Sequence, residues 1–137
     1  MRVRKTRSED ILPALELART LGLDYPGMES DMIWVAEEAG HVVGLVALKK
    51  HPDCWELCGL GVDPRSREKG LGKALVEALM AEAPADIHLA TTIPGFFETC
   101  GFDRTSDVPE TFPAKRKTAW CDGCPRERCT VMLRRKQ

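Results

Sequence analysis

Apolar and polar positions along this chain fall into short blocks of two kinds, one repeating every second residue and one every three to four. Arg2-Val3-Arg4-Lys5 alternates weakly and predicts a short first strand. Ser8, Glu9 and Asp10 then offer helix-capping side chains. Ile11, Leu15 and Ala18 share one helical face, and Gly22 is a natural stop. Pro13 fits only near the start of that helix, which places the N-cap at Asp10 rather than Ser8. Residues 24–30 contain Pro26 and Gly27 and read as a loop. Residues 32–38 and 41–49 are two apolar runs on either side of Ala39-Gly40, the pattern of a hairpin with a tight turn. Val42, Val43, Leu45, Val46 and Leu48 suit a buried strand. His51-Pro52-Asp53 turns the chain into a third strand over residues 55–62. Asp63-Pro64 ends it, since proline cannot continue a central strand.

The clearest helix follows, over residues 70–83. Leu71, Ala74, Leu75, Ala78 and Leu79 sit at helical spacing, with Lys73, Glu77 and Glu82 off the stripe. Residues 87–92 predict a short strand and 94–100 a short helix closed by Gly101. Phe102 onward is strand or loop, 108–113 is a proline-marked excursion, and 130–133 forms a last strand. There is no internal repeat and no low-complexity segment. The order β-α-β-β-β-α-β-α-β mixes hairpins with a strand–helix–strand crossover. It predicts an α/β or α+β fold around one mixed sheet. The whole of 1–137 reads as one domain, with 108–129 as a cysteine-containing excursion before the last strand.

Composition narrows the functional classes. Apolar residues make up 43% of the 137 and charged residues 30%, a globular balance. A formal charge of −1 excludes the broad basic field of a nucleic-acid binder. The basic clusters at 2–7 and 134–136 read as solvated ends. No run approaches the ~18 apolar residues of a membrane span. No apolar core follows the basic residues at the N-terminus, so no signal peptide is expected. The 6 cysteines are then expected as thiols or metal ligands in a reducing compartment, the cytoplasm.

The chemistry concentrates in residues 60–73, Leu-Gly-Val-Asp-Pro-Arg-Ser-Arg-Glu-Lys-Gly-Leu-Gly-Lys. A strand stops, a loop turns, and a long helix starts at two glycines. A helix N-terminus carries unpaired N–H groups and partial positive charge. Gly70 and Gly72 let that backbone approach an anion closely, and Arg67, Lys69 and Lys73 add charge. The arrangement is a phosphate cradle. It is neither a P-loop nor the dinucleotide fingerprint, whose glycine spacings are absent.

Arg67-x-x-Gly70-x-Gly72 after Leu60-x-Val62 resembles the signature of the GNAT N-acetyltransferase superfamily. The segment Phe96-Phe97-Glu98-Thr99-Cys100-Gly101-Phe102 resembles that family's second motif. The resemblance covers the order of elements over nearly the whole chain. It implies a mostly antiparallel sheet flanked by helices, with a splayed strand pair that admits the pantetheine arm of acetyl-CoA. It places that arm on the backbone of Leu60, Gly61 and Val62. The pyrophosphate falls on Arg67, Glu68, Lys69, Gly70, Leu71, Gly72 and Lys73. The implied activity is transfer of an acetyl group to a primary amine, by direct attack in a ternary complex.

An amine attacks a thioester only when neutral, so a base must take its proton. Glu56 precedes Leu60 by four residues, and strand periodicity puts both on one face. The resemblance assigns the base to Glu56. The alternatives are a solvated strand carboxylate or a structural ion-pair partner. The Leu60 N–H is the implied oxyanion donor. Where the family often carries a tyrosine acid this chain has Phe97, and Phe96, Phe97 and Phe102 read mainly as core. Tyr25 reads as a substrate-loop or packing residue. His41, His51 and His88 each stand alone.

Cys121, Cys124 and Cys129 form a Cys-x-x-Cys knuckle with a third thiol, which leaves zinc open beside three reduced thiols. No metal is assigned. From Leu89 to this tail, the chain resembles short N-acetylglutamate-synthase-type amino-acid acetyltransferases more loosely. That implies a small amino-acid acceptor, whose carboxylate needs a cation. Lys115, Arg116 and Lys117 are available, although they also read as a solvated charge run. Two other readings stay open: a CoA-binding or sensing module of the same fold, and a thiol- or metal-centred interaction protein. A homodimer is compatible with any of them.

Overall fold

The computed structural model describes residues 2–66, 70–115 and 129–136. Its elements are β1 (Arg2–Lys5), α1 (Ser8–Thr20), β2 (Met32–Glu38), β3 (His41–Lys50), β4 (Trp55–Val62), α2 (Leu71–Glu82), β5 (Ile87–Thr91), α3 (Pro94–Thr99), β6 (Asp103–Arg104), α4 (Thr111–Lys115) and β7 (Thr130–Arg134). The seven strands are ordered β1-β2-β3-β4-β5-β7-β6 in a mostly antiparallel sheet, with β4 and β5 parallel. By internal packing the chain divides into two units, Met1–Lys49 with Leu57–Glu82, and Lys50–Glu56 with Ala83–Gln137.

In the first unit, β1 pairs with β2 and β2 with β3, both antiparallel. The β2–β3 turn puts Ala39 at φ 51 and Gly40 at φ 79, the paired left-handed residues that match the twist of a tight hairpin. Alternate β2 residues serve two layers. Ile33 and Val35 join Leu45, Ala47 and Met28 against Ala14 and Ala18 of α1. On the helix α2, which packs on β1 and β2, the residues Leu71, Leu75, Val76 and Leu79 are buried. Val76 therefore completes the stripe, while Ala74 and Ala78 flank it.

α1 departs from expectation at its start. It begins at Ser8, with Arg7 as N-cap, so Pro13 lies inside the helix. Asp10 is not the cap but the third helical residue, and its carboxylate accepts the Arg7 N–H at 2.7 Å. The reach-back bond fixes the helix start three residues early, at the cost of the one bond that Pro13 cannot donate. The buried face shifts with it to Ala14 and Ala18, leaving Leu12 65% exposed.

In the second unit, β5 and β7 pair from Ile87↔Arg134 to Thr91↔Thr130, and β7 then pairs with the two-residue β6. Phe97 and Phe102 meet edge to face at 5.9 Å, and Cys100, Ile87, Leu89 and Met132 are buried with them. β6 and α4 are additions to the expected order. Residues 111–115, expected within or beside an irregular excursion, form a helical turn begun by Thr111.

Candidate functional site

β4 carries the candidate chemistry, and its backbone is irregular where it matters. Gly59, inside the strand, has φ 60. A left-handed residue in a strand is the mark of a bulge and re-aims the residues after it. The strict alternation that would put Glu56 and Leu60 on one face is therefore broken between them. Among the described residues, the parallel ladder of β4 to β5 consists of Trp55↔Ile87 and Glu56↔His88.

Beyond the bulge the phase can be read directly. Asp63 donates its N–H to Val43 O of β3 at 2.7 Å. Leu60 and Val62 are out of phase with Asp63, so their N–H groups point away from β3. Gly61 lies under a loop, where an added Cβ would meet Leu23 Cδ1 at 2.3 Å and Leu21 Cδ1 at 2.9 Å. A side chain at position 61 would therefore have to displace the ends of both leucine side chains.

At the end of the connecting loop, Gly70 has φ 79, and its carbonyl accepts the Ala74 N–H at 3.0 Å. It thus caps the twelve-residue α2, and it needs glycine for backbone reasons. Leu71 is buried while Lys73 is exposed on the first turn. Arg67, Glu68 and Lys69 lie outside the described residues, as do Cys121 and Cys124 of the cysteine tail. Cys54, Cys58, Cys100 and Cys129 are thiols. Among the described residues no group of His, Cys, Asp and Glu could hold a metal ion.

Glu56 is 3% exposed. His51 Nε2 lies 2.7 Å from its Oε1, and Lys115 Nζ lies 2.5 Å from its Oε2. Burial acts most strongly on this carboxyl and pushes it up. The His51 hydrogen bond and the Lys115 ammonium outweigh burial together and hold it below the usual glutamate value. Glu56 is therefore an ionised, desolvated carboxylate with both oxygens engaged.

Two expectations are corrected here. His51 does not stand alone. Its N–H bonds Cys54 O at 2.8 Å across the β3–β4 turn, which makes Glu56 its diagonal cross-strand neighbour on the same face. That relation was available from the two-residue turn Pro52-Asp53. Lys115 is not part of a solvated run, because α4 delivers it to Glu56. The helix is anchored by Asp53, whose carboxylate accepts the Thr111 N–H at 3.1 Å and the Thr111 hydroxyl at 2.5 Å. Phe112 packs near the His88 ring at 6.3 Å. His88 is also not alone, since its Nε2 lies 3.1 Å from Asp107 O. No sequence pattern announced the Lys115 contact, which spans 59 positions.

Burial and the nearby Asp53 and Glu56 carboxylates push the Cys54 thiol up to about 12, so it is not a nucleophile at neutral pH. Phe97 is 6% exposed in its aromatic cluster, and Tyr25 donates its hydroxyl to Asp31 Oδ2 at 2.6 Å. Both are occupied in packing.

Solved structures of known proteins share this fold. N-acetylglutamate synthase from Neisseria gonorrhoeae, complexed with coenzyme A and N-acetyl-glutamate, is 20% identical with a TM-score of 0.73; the match covers 100% of this chain and 36% of that one. The chain thus spans about a third of that synthase. Rv2747 from Mycobacterium tuberculosis, solved with CoA, is 23% identical over 98% of this chain and 99% of that one, with a TM-score of 0.71. An aminoglycoside 6'-acetyltransferase type Ii is 18% identical over 100% and 98%, with a TM-score of 0.66. A family model described as the acetyltransferase (GNAT) family matches residues 6–102, well over half of the sequence. The chain is therefore a member of the GNAT acetyltransferase family.

Proposed function

We propose that this acetyltransferase moves the acetyl group of acetyl-CoA to a small primary amine, with an amino acid as the acceptor class. The observation that carries the cofactor half is β4 beyond Gly59, where the Leu60 and Val62 N–H groups point away from β3 just before a glycine-led helix. Backbone donors in that phase suit the amide-rich pantetheine arm. The α2 start, with Gly70, Leu71, Gly72 and Lys73, suits the pyrophosphate together with Arg67, Glu68 and Lys69. The acceptor class is supported by the structural neighbours, one of which holds N-acetyl-glutamate beside coenzyme A.

In this reading Glu56 takes a proton from the acceptor's ammonium. The neutral amine attacks the thioester carbonyl, the carbon–sulfur bond breaks, and CoA leaves as a thiolate that takes up, through water, the proton the new amide nitrogen sheds, while Glu56 returns its own proton to solvent. The Leu60 N–H steadies the carbonyl oxygen as charge builds on it. A thiolate needs little help to leave, since a free thiol titrates near ~8.5, which fits a core Phe97 in place of a tyrosine acid. The whole chain acts as one N-acetyltransferase domain, and we place it in the cytoplasm. None of its described helices is long and apolar enough to cross a membrane.

The test is release of CoA thiol from acetyl-CoA across a panel of amines and amino acids, alongside calorimetry of acetyl-CoA binding. Saturable release with an amino acid is expected. Tight acetyl-CoA binding without release by any amine would replace this reading with a CoA-sensing module.

A further inference from the structure

We propose that Lys115 is a built-in stand-in for the acceptor: its ammonium occupies the place on Glu56 Oε2 that the substrate's ammonium must take, so α4 keeps amines out until it lets go. The inference rests on Glu56 as the group that receives the amine.

The two partners of Glu56 differ in how they are held. His51 sits five residues away across a tight turn and binds Oε1 at 2.7 Å. Both residues belong to one hairpin, so this contact is fixed as soon as the hairpin forms. Lys115 binds Oε2 at 2.5 Å but comes from the end of a five-residue helix. Besides this ion pair, α4 is held by Asp53 on Thr111, by the buried Phe112 beside His88, and by turn bonds from Phe112 N–H to Pro109 O and from Ala114 N–H to Glu110 O, each at 3.1 Å. One partner is thus local to the hairpin, and the other reaches Glu56 from the last residue of a short helix 59 positions away.

The chemistry of the exchange is symmetrical. A lysine ammonium and an acceptor ammonium are the same group presented to the same carboxylate oxygen. Replacing one by the other keeps the buried charge paired, which avoids the large penalty of leaving Glu56 without a cation. Once the product has left as a neutral amide and Glu56 has passed its proton to water, Lys115 is the cation at hand to restore the pair. The device would also select for a primary ammonium, because a bulkier or uncharged group cannot substitute for Lys115 on Oε2.

Truncation provides the test. Lys115→Ala removes three methylenes and the ammonium, a space that n-propylammonium fills. Calorimetry with propylammonium should show binding to Lys115→Ala at least ~10-fold tighter than to wild type, the gain expected when a competitor holding the site roughly nine-tenths of the time is removed. The Lys115→Ala/Glu56→Gln double variant should lose that binding. If Lys115→Ala fails to fold, Lys115→Met keeps the stem over Phe112, and its KM for whichever amine the wild type acetylates should fall by a similar factor. Equal binding of propylammonium to wild type and Lys115→Ala, or no binding to either, would overturn the proposal. So would an unchanged or raised amine KM in Lys115→Met. Ammonium binding by Lys115→Ala without acetyl transfer by any variant would sink the acetyl-transfer reading and leave this one standing. Amine-dependent CoA release by wild type, with amine KM unchanged in Lys115→Met, would do the reverse.

Discussion

Two buried carboxylates, Asp10 and Glu56, look alike in composition and differ in design. Asp10, 6% exposed, is bound by the Arg4 guanidinium through both oxygens and accepts the Arg7 N–H at the helix start. Arg4 also donates to Glu37 Oε2 at 2.9 Å, tying β1, α1 and β2 together. The Arg4 hydrogen bond is the largest influence on Asp10 and, despite opposing burial, holds the carboxyl down at about 2. At Glu56 burial is the largest influence, and two partners reverse it. The first carboxylate is fixed by a bidentate arginine that cannot lose its proton. The second depends on a histidine and a lysine, one of them at the end of a five-residue helix. The first arrangement is suited to holding elements together; the second leaves a carboxylate whose basicity rises when one partner departs.

Glu56→Gln breaks the chemical member of the pair and should have the largest effect. Turnover should fall by roughly 10²-fold or more, the usual scale for a general base, with acetyl-CoA affinity unchanged by calorimetry. Wild-type turnover in this variant between pH 6 and 9 would return Glu56 to the same structural class as Asp10.

Asp10→Asn breaks the structural member. Removing one partner of a buried pair costs about 3 kcal/mol, or on the order of 10 °C in the melting midpoint. Turnover per folded molecule should be untouched. The acid limb follows from the direction of the shift. With its folded value lowered from 3.8 to about 2, Asp10 stabilises the fold above its unfolded value, and that contribution is lost as pH falls toward 2. The variant's melting point should therefore fall less steeply than wild type's across that window. Equal slopes would show that Asp10 does not carry this linkage.

Gly70→Val shows whether the first unit is purely structural. A β-branched residue cannot adopt φ 79 without strain, and the helix start would move. Acetyl-CoA affinity should drop at least ~10-fold through lost charge-assisted hydrogen bonds, each worth about 1.5–3 kcal/mol. Unchanged calorimetric affinity in folded protein would remove α2 from the CoA site.

Phe97→Tyr asks the converse of the second unit and should do least. Phe97 is buried edge to face against Phe96 at 5.1 Å and Phe102 at 5.9 Å, so a hydroxyl there has packing to disturb and no clear chemistry to join. Turnover within about twofold of wild type is expected. A gain approaching ~10²-fold would mean that protonation of the leaving thiolate limits the rate.

The sequence alone determined most of the local architecture. The Ala39-Gly40 hairpin, the strand over residues 55–62 and the apolar stripe of α2 follow from periodicities of two and 3.6 residues, which each element imposes on its own residues. The order of strand, loop and glycine-led helix was legible for the same reason, because it lies within fourteen consecutive positions. The start of α1 was misplaced because Asp10 reads as an N-cap, whereas its carboxylate reaches back from the third helical position to the Arg7 N–H and outweighs the local proline signal. Positive φ at Gly59 was also invisible, since glycine in a strand signals several things until the backbone is seen. Only tertiary structure decided the state of Glu56. Its carboxylate could be read as a base, a solvated group or an ion-pair partner, and what distinguishes these is burial and the arrival of Lys115 from 59 positions away. Charge state in a desolvated site is set by whatever the fold brings within hydrogen-bonding distance, and residue spacing along the chain carries no record of that.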